Sequence, residues 1–252
     1  MTGLDLEGVR ARQPGRDIHW YGTIDSTMRE AARLASLGAT SGTVVGAEEQ
    51  TAGLGRQGHS WYSEREAGLY ISVILRLPMT ADSLPIVTLA LGLAAAEAIS
   101  QISGLACDLR WPNDVLIDGR KCAGILVQFE QPAVIAGIGV NVNHRSFPND
   151  LQTLATSLLI ASGRTQSRED LLLQLLDSID THCRILAEDG KEPILRSFAH
   201  ASSFVQGRQV KVDQGHEILE GVTEGLNPSG FLVLRRRDGK QSLILAGGVR
   251  PA

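Results

Sequence analysis

Two groups of residues in this sequence are spaced for chemistry on anions. The first is Glu49-Gln-Thr-Ala-Gly-Leu-Gly-Arg-Gln-Gly-His-Ser-Trp61, which sets Arg56 among Gly53, Gly55 and Gly58. Glycine lets the backbone adopt positive φ and come close to a ligand. Successive N–H groups in such a turn form a concave anion site, and an arginine adds a fixed, forked cation. Trp61 offers a flat face for stacking. The second is Arg110-Trp-Pro-Asn-Asp114 followed by Lys121 and Gly124. A hairpin there brings Asn113, Asp114 and Lys121 together, and a lysine so placed can reach a bound carboxylate or phosphate. Two smaller patterns accompany these. Ser26-Thr27 stands at a helix start, where capping alone is a sufficient reason for both. Gly137-Ile-Gly-Val-Asn-Val-Asn143 permits close backbone approach within a strand, and Asn141 carries an amide able to read a purine edge.

The elements that position these residues are legible in order. Residues 1–17 are polar and read as a loose lead-in. A strand spans Ile18–Tyr21. A helix opens at Asp25-Ser26-Thr27, with Thr27 and Glu30 spaced as a capping box, and stops at Gly38. Apolar strands Val44–Ala47 and Leu69–Leu75 flank the glycine loop, and Pro78 ends the second. An Ala-rich helix runs from Ser83 to Ile102 with Pro85 in its first turn. Cys107–Trp111 and Val115–Ile117 read as strands. Asp118-Gly119 is a hairpin turn, Lys121–Phe129 the return strand, and Val134–Val142 the next. The last of these has an edge able to pair between subunits, which suggests a homodimer. Helices are expected over Leu151–Ala161, from the box Ser167-Arg-Glu-Asp170 to Glu188, and over Glu192–His200. From Gly207 four short alternating strands follow, at Gln209–Val212, Glu217–Thr223, Phe231–Leu234 and Ser242–Leu245, as in a small β-barrel.

Composition narrows the function classes. The 252 residues carry a net charge of −4, which argues against a mainly electrostatic nucleic-acid binder. Cys107, Cys122 and Cys183 are odd in number and widely spaced, which disfavours a disulfide framework or structural zinc. The N-terminus lacks a signal pattern. No apolar run approaches the roughly 18 residues of a membrane span. The expectation is a cytoplasmic protein. His19, His59, His144, His182, His200 and His216 form no metal-ligand spacing and read as surface or loop residues. A Walker A loop is absent.

The motifs in sequence order resemble biotin protein ligase: Asp25-Ser-Thr27, Gln50-x-x-Gly-x-Gly-Arg-x-Gly58 with Trp61, Trp111-Pro-Asn-Asp114, Gly119-Arg-Lys-x-Ala-Gly-Ile-Leu126 and Gly139-x-Asn141. The resemblance covers residues 18–250. It implies an α+β fold. A mixed-sheet SH2-like catalytic domain, of the class II aminoacyl-tRNA synthetase and biotin ligase kind, would occupy residues 1–204. An SH3-like C-terminal β-barrel would occupy residues 205–252. The implied reaction has two steps. Biotin's carboxylate attacks the α-phosphorus of ATP, giving biotinyl-5′-AMP and pyrophosphate. A lysine ε-amine of a biotin carboxyl carrier domain, belonging to acetyl-CoA carboxylase or a related enzyme, then attacks the acyl adenylate. Mg²⁺ would neutralise the phosphates.

The same resemblance assigns roles. Ser26, Thr27 and Gln50 would hydrogen-bond the biotin rings. Gly53, Leu54, Gly55 and Arg56 would close over biotin and the phosphate, with Gly124 and Lys121 beside them. Gly58, Trp61, Asn113, Asp114 and Asn141 would meet the ATP or adenylate, Trp61 by stacking on adenine. Lys121 and Arg56 are the implied catalytic pair, and Asp114 an indirect partner of phosphate-bound Mg²⁺. Some family members act as repressors through an N-terminal helix-turn-helix domain. The stretch before Ile18 is too short for one, so no nucleic-acid role is expected. The alternatives are a lipoate or octanoate ligase or transferase on the same fold, a non-catalytic biotin-sensing module, and a peptide-binding scaffold using its barrel. Two positions depart from the family pattern: Leu54 stands where an arginine is common, and Met28 where asparagine is common. One missing cation implies a looser hold on the intermediate. Leu54→Arg is therefore expected to slow dissociation of biotinyl-AMP, measured by release of labelled adenylate; an unchanged rate would refute this.

Overall fold

A computed structural model describes residues 4–78, 81–215 and 217–252. His216 and Met1–Gly3, parts of two expectations above, lie outside the described residues. The rest of the lead-in is not loose. Leu6–Arg12 forms helix α1, capped by the Asp5 carboxylate, and its buried Val9 packs into the main core.

A seven-stranded mixed sheet is built from the apolar runs. Its strands are β1 (Ile18–Tyr21), β2 (Val44–Ala47), β3 (Gly68–Leu75), β4 (Asp108–Arg110), β5 (Asp114–Ile117), β6 (Arg120–Glu130) and β7 (Ala133–Asn141). The order is β1-β2-β3-β7-β6-β5-β4, with only β1 and β2 parallel. The hairpin at Asp118-Gly119 forms as read, both residues taking positive φ. β7 lies in the interior between β3 and β6. Both its sides are hydrogen-bonded, so it has no edge for a second subunit, contrary to the sequence reading; the free edges are β1 and β4.

One sheet face carries the large core. Helix α3 (Leu84–Ser103) packs on it with α5 (Arg168–Glu188) and α6 (Lys191–Ala201). The segment Ala81–Ser103, with mean hydropathy 1.6, is long and apolar enough for a membrane span, which corrects the expectation that no such run exists. Its residues are apolar all round because it is sandwiched between sheet and helices, and Leu89, Leu91, Ala94, Ala95 and Ile99 are buried there. α5 is capped as expected, the Ser167 Oγ accepting from the Asp170 N–H. The helix expected over Leu151–Ala161 shrinks to α4 (Leu158–Ser162). Before it, turns over 148–155 deliver Leu154 and Thr156 to the backbone of Lys121.

The opposite face is only partly covered. Helix α2 (Thr27–Ser36) packs there, burying Met28, Ala31 and Ala35 against Val45, Ile74 and Ile135. Beyond α2 the face is bare, and the glycine loop lies over it. The C-terminal sheet has β8 (Gln206–Asp213), β9 (Ile218–Leu226), β10 (Leu232–Arg236), β11 (Gln241–Ile244) and β12 (Gly248–Pro251), in the order β11-β10-β9-β8-β12. All its pairings are antiparallel. The fifth strand, β12, was not legible because only Val249 of its four residues is buried.

Both feet of the glycine loop are stapled by a buried ion pair. The Arg168 guanidinium donates to Glu48 at 2.6 Å and to the Gly68 carbonyl at 3.3 Å. Glu48 also accepts from the Trp20 indole and the Leu4 amide. Removing one partner of such a pair strands the other charge in low dielectric. Arg168→Met is expected to destabilise the fold by about 3–5 kcal/mol in urea unfolding. Adding Glu48→Gln should restore part of that loss; a double variant no more stable than the single one would refute the account.

Candidate active site

The glycine loop folds back on itself as a small hairpin. The Gly55 N–H donates to the His59 carbonyl at 2.7 Å, and the Trp61 N–H to the Gly53 carbonyl at 2.9 Å. A Cβ on Gly53 would meet the Trp61 carbonyl at 2.8 Å, and one on Gly55 the His59 carbonyl at 2.9 Å. Close approach therefore demands these two glycines, whereas Gly58 is required by its φ of +79°.

Trp61 lies flat on a bare patch of the sheet. Gly124 of β6 faces Gly139 of β7 in register. A Cβ on Gly139 would sit 2.3 Å from the indole, and one on Gly124 2.8 Å from both the indole and the Lys121 side chain. Farther along β7, a Cβ on Gly137 would reach the Met28 sulfur at 2.5 Å. The Lys121 Nζ lies 5.3 Å from the Trp61 ring centroid, within cation–π range.

Cations are held by the Trp-Pro-Asn-Asp segment. Asp114 accepts from the Lys121 Nζ at 2.5 Å and from the Arg110 Nη2 at 2.7 Å. Burial pushes the Asp114 carboxyl up, but Lys121 and Arg110 more than offset this and hold it below its ordinary range. The Asn113 Oδ1 accepts from the Arg56 Nη1 at 3.0 Å, while its Nδ2 donates to the Ile125 carbonyl. Burial lowers the Arg56 pKa, opposed by the charge of Asp114. Both Asp114 oxygens are thus paired with cations, one with Lys121 and one with Arg110. No cluster of three or more His, Cys, Asp or Glu suited to a metal occurs among the described residues.

At the start of α2 the capping box does not form. Ser26 is the N-cap, and the Gln50 Oε1 instead accepts from the Thr27 N–H at 2.9 Å and its hydroxyl at 3.1 Å. Glu30 turns away to Arg33 and Tyr21. The Ser26 Oγ is buried with no partner.

Two adjoining cavities result. The first is lined by Thr27, Met28, Gln50, Leu54, Gly55 and Arg56, with Asn113, Lys121, Gly124, Gly137 and Gly139 as its floor and far wall. The second is lined by Tyr62, Asn141, Phe147, Leu151 and Ala155. Among the described residues, Trp61 and Lys121 alone line both. Ser26, Gly53, Gly58 and Asp114 line neither. Asn141 borders the second, but its amide nitrogen is given to the Thr156 carbonyl at 3.1 Å, which leaves only its oxygen for a ligand. Leu54 and Met28, the two departures from the family pattern, belong to one apolar cluster.

The second cavity rests on a residue that the sequence reading placed at the surface. His144 is fully buried, stacks on Phe147 and contacts the Tyr70 hydroxyl at 3.1 Å. No local pattern marks it, since its partners come from β3 and from the loop after it. Burial lowers its pKa from 6.5 to about 4. The folded protein therefore holds it neutral, and the stability it contributes is complete above pH 6.5 and lost as pH falls toward 4. The loss should reach about 3 kcal/mol at pH 4. His182, also lowered by burial, acts in the same sense, whereas Glu30, held near 2 chiefly by Arg33, keeps its full contribution above its ordinary 4.5 and loses it only as pH falls from there toward 2. Unfolding free energies between pH 6.5 and 4.5 should flatten in His144→Gln; an unchanged slope would refute the assignment.

The same fold occurs in known proteins. A model of the biotin/lipoate A/B protein ligase family matches residues 20–143. A model of the biotin protein ligase C terminal domain matches residues 206–249. These define the class: a ligase of the biotin and lipoate type. The biotin--[acetyl-CoA-carboxylase] ligase of Mycobacterium tuberculosis is 32% identical over 223 residues, covering 86% of this chain and 82% of the relative. The bifunctional ligase/repressor BirA of Bacillus spizizenii is 31% identical over 246 residues, covering 95% and 75%. The structure of the Aquifex aeolicus biotin protein ligase in complex with biotin and ATP superposes with a TM-score of 0.83 at 30% identity, covering 94% of this chain and 99% of that one. The chain belongs to the biotin protein ligase family.

Proposed function

We propose that this protein joins biotin to ATP as biotinyl-5′-AMP, releasing pyrophosphate, and then transfers the biotinyl group to a lysine of a carboxylase's biotin carboxyl carrier domain. The observation that carries this reading is the pair of cavities sharing Trp61 and Lys121 as their common wall. Biotin occupies the first, its ring system beside Thr27 and Gln50, with Leu54, Gly55 and Arg56 above it. Adenine occupies the second, against Trp61 and Asn141. The carboxylate and the α-phosphate then meet where the Lys121 ammonium stands.

Each residue has a physical part in the first step. Two anions repel, and fixed cations and amides lower the cost of their contact and of the charge that builds in the transition state. Lys121 supplies one cation, held by Asp114 until an anion competes for it. Arg56 supplies the other, aimed by Asn113. Gly53, Gly55 and Gly58 let the loop backbone close over the substrates, and Gly124 leaves room beside Lys121. The carboxylate oxygen forms a bond to the α-phosphorus as the α–β anhydride breaks and pyrophosphate leaves. In the second step the carrier amine attacks the acyl carbon, AMP leaves and the amine loses its proton. Mg²⁺ bound to the nucleotide would neutralise charge on its phosphates.

We assign catalysis to residues 1–204 and the barrel to 205–252, a division supported by the start of β8 at Gln206. Three free thiols suit a reducing cytoplasm. Biotin is favoured over lipoate by the match of the C-terminal domain model.

The test is mass spectrometry of a carboxylase carrier domain incubated with the protein, biotin and MgATP. A mass increase of one biotinyl group is expected, and none with lipoate. Lys121→Ala should retain the fold and lose nearly all biotin-dependent exchange of pyrophosphate into ATP. Exchange at the wild-type rate would remove Lys121 from the mechanism, and an unmodified carrier domain would overturn the function.

A further inference from the structure

We propose that the barrel turn Asn227–Gly230 is a positioning part of the active site, acting on Arg56 and Lys121 through Trp111. The inference rests on the function proposed above for what the two cations do, but the geometry that carries it is independent of substrate.

The turn is rigid by itself. The Asn227 amide donates to the Phe231 carbonyl at 2.8 Å, and the Gly230 amide to the Asn227 carbonyl at 2.9 Å. The Asn227 side-chain oxygen accepts from the Ser229 and Phe231 amides at 3.0 and 2.9 Å. Gly230 closes the turn, with φ of +82°, and it is seated against α3: a Cβ there would lie 2.8 Å from the Ile86 Cδ1 and 3.3 Å from the Leu89 Cδ1. Its carbonyl accepts from the indole of Trp111 at 2.9 Å, and Trp111 is only 2% exposed. A bond between two buried groups 119 residues apart thus ties the barrel to the catalytic sheet.

The cation-holding segment lies immediately C-terminal to Trp111. Asn113, two residues on, is fixed to β6 by paired backbone and side-chain bonds with Ile125 and holds the Arg56 guanidinium. Asp114, three residues on, holds the Lys121 ammonium. Phe231 and Leu245 of the barrel share a groove with Trp111, Pro112 and Arg56. The barrel therefore sets the height of Trp111, and Trp111 sets where the two cations begin. Packing alone does not need the indole N–H. A buried carbonyl and donor do need each other, because an unpaired one loses its hydration with nothing in exchange.

Trp111→Phe keeps the ring and removes the donor. Gly230→Ala forces the turn away from Ile86, and Ile86→Ala in the same chain reopens that space. Amide exchange of residues 53–61 and 113–114, read by mass spectrometry in the full chain without ligand, should accelerate about tenfold in Trp111→Phe and in Gly230→Ala, and return only part of the way in Gly230→Ala/Ile86→Ala, since the positive φ at position 230 still disfavours alanine. kcat/KM for biotin-dependent pyrophosphate exchange should fall on the order of tenfold well below the unfolding temperature, with the same rescue. A purely structural bond would lower the unfolding temperature and leave loop exchange and kcat/KM unchanged, which would overturn the proposal. If loop exchange responds as stated while wild-type protein performs no pyrophosphate exchange, the positioning stands and the ligase reading falls.

Discussion

A strip of sheet surface without side chains is the constraint on which the site depends. Gly124, Gly137 and Gly139 leave a patch of one face without side chains where β6 and β7 pair. Each lacks room for even a methyl group: Trp61 and Lys121 occupy the space above two of them, and Met28 the space above the third. A side chain at any of these positions would lift the indole or Met28 and divide the two cavities differently. The glycine loop is one consequence of that strip, since it covers the part of the face that α2 does not reach. The meeting of two cations at one end is another: Lys121, at the start of β6, leans over Gly124, and Arg56 reaches the same end from the loop, where Asn113 receives it.

Much of this was legible in the sequence because the signals are local. Apolar runs bounded by Pro78, Pro132 and Gly-rich turns gave the strands. Pro85 and the Ser167 box gave helix starts, and Asp118-Gly119 gave the hairpin that brings Lys121 to Asp114. The glycines announced close approach before any partner was known. Residue type was enough, because only backbone, or a flat ring lying on it, exploits a missing Cβ.

The features that stayed hidden depend on partners far apart in the chain. Glu48 and Arg168 are 120 residues apart and give no periodic signal, yet they fix both ends of the loop. Gln50 takes over a helix start that the sequence assigned to Thr27 and Glu30, because the loop brings a side-chain oxygen to the amides first. β7 reads like any apolar strand, and nothing within it reports that β3 and β6 flank it. His144 looks polar and exposed until Phe147 and Tyr70 close around it. In each case tertiary contact decided between local options of similar cost.

The backbone at Lys121 carries one more meaning. Its amide donates to the Leu154 carbonyl and its own carbonyl accepts from the Thr156 amide, while Asn141 steadies Thr156 from the next strand. The main chain under the ammonium is thus clamped on both sides, and only the four-carbon tether can swing. Reach becomes a fixed radius about a stationary pivot, as on a crane whose base is bolted down. Movement of the ammonium then falls to rotamer changes of that one side chain rather than to strand motion.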